Sequence, residues 1–175
     1  MGVVTFAPPA AAEVCPNPLD QGALKDALAR LASGLTLIAC WDGDTPKGLV
    51  ATSFIGLSVS PPRVLFSVRH EASAHEALLR ATHYSAAILS EADREVADAF
   101  SSSTRSEQRF AGAGWRLDDL AAPRYLGGLA RFELRTERRI GADSHTIFIA
   151  EVVNVVSDTG APLVFFERGL SSLAL

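Results

Sequence analysis

The clearest pattern of apolar and polar positions lies between residues 130 and 137. Apolar or small side chains alternate there with charged ones, in the run ARFELRTE. A period of two puts successive side chains on opposite faces, so this run predicts a strand with one buried face. The segment 147–156 is apolar at every position except Glu151 and Asn154. It predicts a central strand that is covered on both faces.

Shorter apolar runs predict four further strands, at 35–41, 64–68, 84–89 and 163–166. The first is followed by Asp42-Gly43-Asp44, a sequence typical of a hairpin turn. Pro61 and Pro62 come before the second, and since proline cannot donate to a strand ladder, they predict a firm turn. The strand at 163–166 is predicted to be the last one.

Polar capping residues that precede apolar side chains at helical spacing predict the helices. Asp20 is predicted to cap a helix that ends near Gly34. Its apolar face would comprise Leu24, Ala27, Leu28 and Leu31. Ser73, followed three residues later by Glu76, has the capping-box pattern and predicts a second helix to about Arg80.

A third helix is predicted to start at Ser90, with Ala92, Val96 and Phe100 on one side. The long polar segment 101–126 follows it. Loops of this length in compact domains are often functional, so the segment is interpreted as a lid, a docking surface for an oxygenase, or a solvated loop. Many short strands with a few short helices predict a β-rich α+β domain and are compatible with a barrel.

Length and composition indicate a soluble chain with one folded domain. The 175 residues are 48% hydrophobic and 21% charged, which is a globular composition. Residues 1–18 carry Pro8, Pro9, Pro16 and Pro18 and are predicted to form a flexible arm before a domain at 19–175. The arm lacks the features of a signal peptide, and no apolar run is long enough to span a membrane. We therefore expect a cytoplasmic protein without a membrane contact.

Charge and cysteine content exclude two further classes. The net charge is −4, and no cluster of lysine and arginine suggests a nucleic-acid surface. Cys15 and Cys40 have neither the spacing of a metal site nor a disulfide framework. We therefore expect no metal, no nucleic acid and a reducing compartment.

The stretch 48–62, GLVATSFIGLSVSPP, is the strongest candidate for chemistry. It is rich in small residues and carries hydroxyl groups at Thr52, Ser53, Ser58 and Ser60. Small residues let backbone N–H groups approach a ligand closely, and hydroxyls can donate to an anion such as a phosphate. From periodicity alone the same stretch is simply a strand, a loop and a second short strand.

Several common functional motifs are absent from the sequence. Gly112-Ala113-Gly114 lacks the third glycine of a dinucleotide-binding turn, and there is no P-loop. The histidines at 70, 75, 83 and 145 are scattered, with no zinc spacing. Ser73 could either cap its helix or mark a helix N-terminus that holds a phosphate, and the sequence does not separate these two interpretations.

Several segments taken together resemble the flavin reductase family of FMN-binding split barrels. The similarity covers about 24–169. It begins with LARLASGLTLIAC, continues through GLVATSFIGLSVSPPRVLFSV and RFAGAGW, and ends with IFIAEV and PLVFFERG, in the family's order and spacing. The resemblance implies a homodimeric split β-barrel with two flavins, FMN or FAD, near the dimer interface.

The resemblance also implies a flavin site. The residues that would wrap the flavin phosphate and ring edge, largely through backbone donors, are Ala51, Thr52, Ser53, Phe54 and Ser58. Thr36 and Leu37 would lie along the isoalloxazine, and Ser73 would lie near the phosphate or the ribityl chain. Thr52 stands where the family usually has an asparagine.

A second implied site receives the nicotinamide of NADH or NADPH. It matches His145 and the strand Leu163–Phe166, so His145 is the candidate catalytic residue and Phe166 a candidate cofactor contact. The family's Gly-Asp-His is stretched to Gly-Ala-Asp-Ser-His here, at 141–145, and the aromatic pair Phe165-Phe166 is followed by an additional Glu167.

The implied activity is NAD(P)H-dependent flavin reduction, with reduced flavin passed to a separate oxygenase. The flavin would be an exchangeable substrate or a tightly held prosthetic group. Two alternatives remain open: an oxidase with tightly bound FMN, and a non-enzymatic flavin-binding or haem-binding carrier. The choices between FMN and FAD and between NADH and NADPH also stay open.

Overall fold

The computed structural model describes residues 19–101, 108–111, 114–118 and 121–173. The predicted arm at 1–18 and parts of the 101–126 segment lie outside these ranges. Within them the helices are α1 Gln21–Ala29, α2 His75–Arg80 and α3 Arg94–Ser101, and a 3₁₀ turn at Glu91–Asp93 precedes α3. The strands are β1 Ser33–Gly34, β2 Thr36–Asp42, β3 Thr45–Ala51, β4 Ile55–Val59, β5 Pro62–Arg69, β6 His83–Ile88, β7 Trp115–Arg116, β8 Arg124–Tyr125, β9 Ala130–Ala142, β10 His145–Ser157, β11 Leu163–Phe166 and β12 Gly169–Ser172.

A seven-stranded antiparallel sheet dominates the part of the chain that the structure describes. Its order is β3-β2-β6-β9-β10-β5-β4, and small sheets β1-β11-β12 and β7-β8 accompany it. The prediction of a β-rich domain with a few short helices is confirmed. Closure of the sheet into a barrel stays a prediction.

The two strands with the clearest sequence patterns lie in the middle of the sheet. Strands β9 and β10 are each 13 residues long and pair along almost their whole length. Leu134 on β9 is buried, whereas Arg135 beside it is exposed, as the alternation predicts. The N-terminal half of β10 alternates between buried and half-buried positions, but Val153, Val155 and Val156 are exposed.

The core consists of two clusters of buried side chains. The first is built on the rings of Phe66 and Phe148, which stack with their centroids 5.0 Å apart, and Tyr84 meets Phe66 edge-on. The second lies under α3 and joins Leu37 and Phe100 to neighbouring strands. Stacked and edge-on ring pairs add to the stability that burial of apolar area provides.

The predicted hairpin turn after β2 is confirmed. Asp42 pairs with Thr45, which leaves Gly43 and Asp44 as a two-residue connection. Gly43 has a positive φ of 60°, which glycine adopts without steric cost. This hairpin sets the register that brings Ala51 opposite Thr36.

The predicted first helix ends earlier than expected. Asp20 caps α1 through a hydrogen bond of 2.8 Å from the N–H of Gly22, as predicted. The helix stops at Ala29 rather than near Gly34, because Ser33 and Gly34 pair with β11. None of its residues is buried, so the predicted apolar face is not packed against the core of this chain.

The prediction that Ser73 caps the second helix is wrong. Helix α2 begins at His75, and Ala74 occupies the N-cap position without a side-chain hydrogen bond. The N–H of His75 donates to the carbonyl of Ala72 at 2.9 Å, so a turn precedes the helix and Ser73 lies within it. The capping box forms instead at Ser90, where Asp93 accepts from the backbone N–H of Ser90.

Strand β11 is not the last strand. Glu167 and Arg168 form a two-residue turn, and β12 then pairs back along β11. Both turn residues have positive φ values, 47° and 64°. Two-residue hairpin connections favour this conformation. The turn therefore contains Glu167, the residue that the family pattern lacks.

Candidate functional site

A cavity of about 440 Å³ lies where the stretch 48–62 meets the end of β5 and the start of β10. Its volume is in the range of small-molecule sites. The loop after β3, the last residues of β5 and the first residue of β10 form its polar side. Its apolar side comprises Leu35, Leu49, Val50, Val68 and Phe165.

The loop of residues 52–54 connects β3 to β4 and lies outside the strand ladder. Backbone N–H groups of such a loop are not consumed by strand pairing. Thr52 is exposed and lines the cavity. Ser53 also lines it, and its hydroxyl makes two bonds of 3.0 Å to Ser67, donating to the carbonyl and accepting from the N–H. These two hydrogen bonds fix the loop against β5.

His145 lines the same cavity. Asp143 and Ser144 form the tight turn between β9 and β10, and Asp143 has a positive φ of 45°. His145 is therefore the first residue of β10, and its Nδ1 lies 2.9 Å from the hydroxyl of Ser144. The hairpin accommodates the longer form of this segment and still brings His145 to the cavity.

Arg69 lies beside His145 at the cavity. The two residues are register partners of β5 and β10, so their side chains share one face of the sheet. Ser67, two residues earlier on β5, shares that face as well. The sequence reasoning missed Ser67 and Arg69, and it named Phe166 rather than its neighbour Phe165 as the cofactor contact. The pairing of β5 with β10 would have indicated the first two, but the register is not visible in either strand alone.

Of the predicted site residues, Ala51, Thr52, Ser53 and His145 line this cavity together. Thr36 and Leu37 are buried, with exposed fractions of 3% and 2%. Phe54 packs inward, with its ring centroid 5.4 Å from that of Phe132. None of these three is among the cavity-lining residues that the structure describes.

The other predicted contacts also lie outside the described lining. The hydroxyl of Ser58 donates to the carbonyl of Pro61, and Ser73 is exposed in the turn before α2. Phe165 lines the cavity, whereas Phe166 follows it on β11 and is not part of the described lining. The roles of Thr36, Leu37, Phe54, Ser58, Ser73 and Phe166 stay predictions.

The cavity suits a flavin. Its aliphatic side and Phe165 can contact a flat, largely apolar ring system. Its polar side offers the hydroxyl of Thr52, the backbone of the 52–54 loop and one guanidinium, which suit a hydroxylated and phosphorylated chain. Ala51, Thr52 and Ser53 would hold the phosphorylated part, and the aliphatic side would hold the ring.

The described residues provide no separate catalytic cluster. No group of three or more His, Cys, Asp or Glu in the described ranges could hold a metal ion. Burial raises the pKa of the Cys40 thiol to about 12, and the negative charge of the nearby Asp42 adds to this effect. Because the thiolate is the nucleophilic form, Cys40 is not a nucleophile at neutral pH. In the same ranges no helix has the length and apolarity to cross a membrane.

The family profile described as flavin reductase like domain matches residues 28–174. The FMN reductase (NADH) SmoA of Agrobacterium fabrum is 35% identical over 141 residues, which cover 81% of this chain and 79% of that protein. The reductase component of 4-hydroxyphenylacetate 3-monooxygenase from Thermus thermophilus is 32% identical over 152 residues, or 86% of this chain and 95% of that one.

A solved structure agrees with these sequence matches. The NADH:FAD oxidoreductase SgcE6 of Streptomyces globisporus, in complex with NAD and FAD fragments, superposes with a TM-score of 0.80 at 26% identity. The match covers 89% of this chain and 93% of SgcE6. The fold and the cavity define a flavin-binding β-rich reductase domain. The chain belongs to the flavin reductase family, and the resemblance seen in its sequence motifs is confirmed.

Proposed function

We propose that the protein is an NAD(P)H-dependent flavin reductase that transfers a hydride to FMN or FAD. The observation that carries this proposal is the convergence of the 52–54 loop and His145 on one cavity with a broad apolar side. The relatives named FMN reductase (NADH) and reductase component of a monooxygenase support it.

The residues of this cavity bind and orient rather than react. When bound, the flavin accepts the hydride that the nicotinamide supplies, so no nucleophile or general acid is needed from the protein. Thr52 and the loop backbone hold the flavin's polar chain, and the aliphatic side excludes water from the ring. His145 orients the nicotinamide, and holding two reactants at contact distance is itself a large part of catalysis.

The reduced flavin is proposed to pass to a separate monooxygenase. Several relatives are named as reductase components of such two-component systems, among them the trigonelline and 4-nitrophenol monooxygenases. In this role the flavin is an exchangeable substrate. The described parts of the 101–126 segment, which include β7 and β8, are a proposed contact surface for the oxygenase.

The active form is proposed to be a homodimer of closed split barrels. Strand β4 is an edge strand of the seven-stranded sheet, and Val59 on it is 92% exposed. Ile55 and Leu57 on the same strand are exposed as well. Exposed apolar edge strands are usually covered, and a second copy of this chain would cover this one.

The experiment is NADH and NADPH oxidation by the purified protein, with and without added FMN or FAD. Oxidation that requires added flavin supports a reductase with an exchangeable flavin. Oxidation without added flavin indicates a held prosthetic group. If flavin binds but neither nucleotide is oxidised, the reductase proposal is wrong and a carrier function remains.

A further inference from the structure

Arg69 is the last residue of β5 and contributes an exposed guanidinium to the cavity. Register pairing with His145 puts the two side chains on one face of the sheet, with their Cβ atoms about 5 Å apart. The cation therefore lies next to the residue that is proposed to orient the nicotinamide.

The guanidinium of Arg69 has no ion-pair or hydrogen-bond partner among the residues that the structure describes. Two other arginines of the same sheet are paired. Arg63 binds Glu137 with a bond of 2.8 Å, and Arg135 binds Glu151 with one of 3.0 Å. The described lining of the cavity also contains no carboxylate. The cavity thus carries a positive charge that nothing described on the protein neutralises.

The hydroxyl groups that line the cavity near this cation are uncharged. The hydroxyl hydrogen of Ser53 is committed to the carbonyl of Ser67, so that hydroxyl has no hydrogen left for an anion. Thr52 and Ser67 offer hydroxyls of their own, but these carry no charge. An anion entering the cavity would therefore find its main counter-charge at Arg69.

We propose that Arg69 binds a phosphate group of one of the two nucleotide substrates. The planar guanidinium forms paired hydrogen bonds to phosphate oxygens, and charge-assisted bonds of this kind are stronger than neutral ones. The inference rests on the proposed function and adds the residue that recognises the phosphorylated end of a substrate. The phosphate belongs either to the flavin or to the nicotinamide dinucleotide.

The test compares Arg69→Gln with the intact protein on two substrate pairs. FMN is paired with riboflavin, and NADH is paired with reduced nicotinamide riboside, so the members of each pair differ in phosphate content. We expect KM to rise about tenfold for the phosphate-bearing member of one pair and to change less than twofold for its phosphate-free member. A rise for FMN alone assigns the flavin phosphate, and a rise for NADH alone assigns the dinucleotide.

Two further variants complete the test, one that keeps the charge at position 69 and one that serves as a control. Arg69→Lys keeps the charge but loses the planar fork, so its KM should fall between those of the intact protein and Arg69→Gln. Arg138→Gln removes the same charge from an exposed position of β9 outside the described cavity lining and should leave every KM unchanged. If neither pair distinguishes phosphate-bearing from phosphate-free substrate in Arg69→Gln, the inference is wrong.

Failure of the inference is distinguishable from failure of the proposed function. Binding of FMN and riboflavin can be followed by flavin fluorescence without any nicotinamide. An intact protein that binds FMN but oxidises no nicotinamide contradicts the reductase function. An active protein whose Arg69→Gln variant discriminates in neither pair contradicts only the role of Arg69.

Discussion

His145 shows how one side chain can be oriented by its immediate neighbour. Its Nδ1 lies 2.9 Å from the hydroxyl of Ser144, so Nε2 is the ring atom left for a substrate. Ser144 also binds the residue that follows β5, because its carbonyl accepts from the N–H of His70 at 2.9 Å. The turn, the neighbouring strand and the imidazole therefore form one hydrogen-bonded unit at the cavity.

Replacing His145 by alanine should weaken nicotinamide binding. We expect the KM for NADH to rise roughly fivefold, the effect of losing one neutral hydrogen bond, while flavin binding stays unchanged. Steady-state kinetics at saturating flavin measures this. His83→Ala is the matched control, since His83 lies on β6 outside the described lining. An unchanged turnover and KM in His145→Ala would rule out the orienting role.

At the scale of elements, close approach between β3 and its neighbours depends on Gly48. A Cβ atom added there would lie 2.7 Å from the carbonyl oxygen of Ile38 and 3.1 Å from the ring of Phe100. The first contact is with the backbone of β2, which cannot move without disturbing the ladder. Helix α3 packs closely over β3 for the same reason.

Gly48→Ala should therefore destabilise the protein. Overpacking of this kind typically costs about 1–3 kcal/mol, and urea unfolding would measure it as a lower midpoint. Gly141→Ala is the control, because a Cβ atom at that position meets nothing within 4 Å. Equal midpoints for the two variants would show that the β3 contact is not under steric constraint.

Much of the sheet could be predicted because its patterns are local. The alternation at 130–137 and the apolar run at 147–156 identify β9 and β10 without any knowledge of the fold. The ends of the helices could not be predicted in this way. Ser73 has a capping sequence, but the turn from Arg69 to Ala72 moves the start of α2 past it.

The residues of the candidate site also differ in whether a local pattern could identify them. The 52–54 loop could be identified from its hydroxyls and small residues, and His145 from the family resemblance. Arg69 could not be identified, because its place at the cavity follows from the pairing of two strands that are about 75 positions apart in sequence. Long-range register of this kind leaves no mark in either strand.

At the scale of the whole molecule, exposed apolar side chains indicate an assembly larger than the chain. They occur on β4, on the C-terminal half of β10 and on α1, where Leu24 and Leu28 are exposed by 42% and 61%. Helix α1 has no buried residue within the described chain. Apolar surface of this extent is expected to be covered in solution.

The protein should therefore be a dimer by light scattering. Val59→Lys would place a charge in the proposed contact, and we expect it to shift the mass toward that of a monomer at low protein concentration. Thr159→Lys adds the same charge to an exposed loop and should leave the mass unchanged. A monomeric intact protein would contradict the homodimer.

The turn between β11 and β12 lies in the hairpin that carries the cavity residue Phe165, and it contacts α1 and Arg30 at the surface. Glu167 pairs with Arg30 and Arg168 with Asp26, and the N–H of Glu167 donates to the last carbonyl of α1. Exposed ion pairs of this kind contribute only about 0–1 kcal/mol each. Because Phe165 stands in the same hairpin, substitutions in these pairs can retune the shape of the cavity at little cost to folding. The side of the site that carries Phe165 can therefore change in sequence without a large loss of stability.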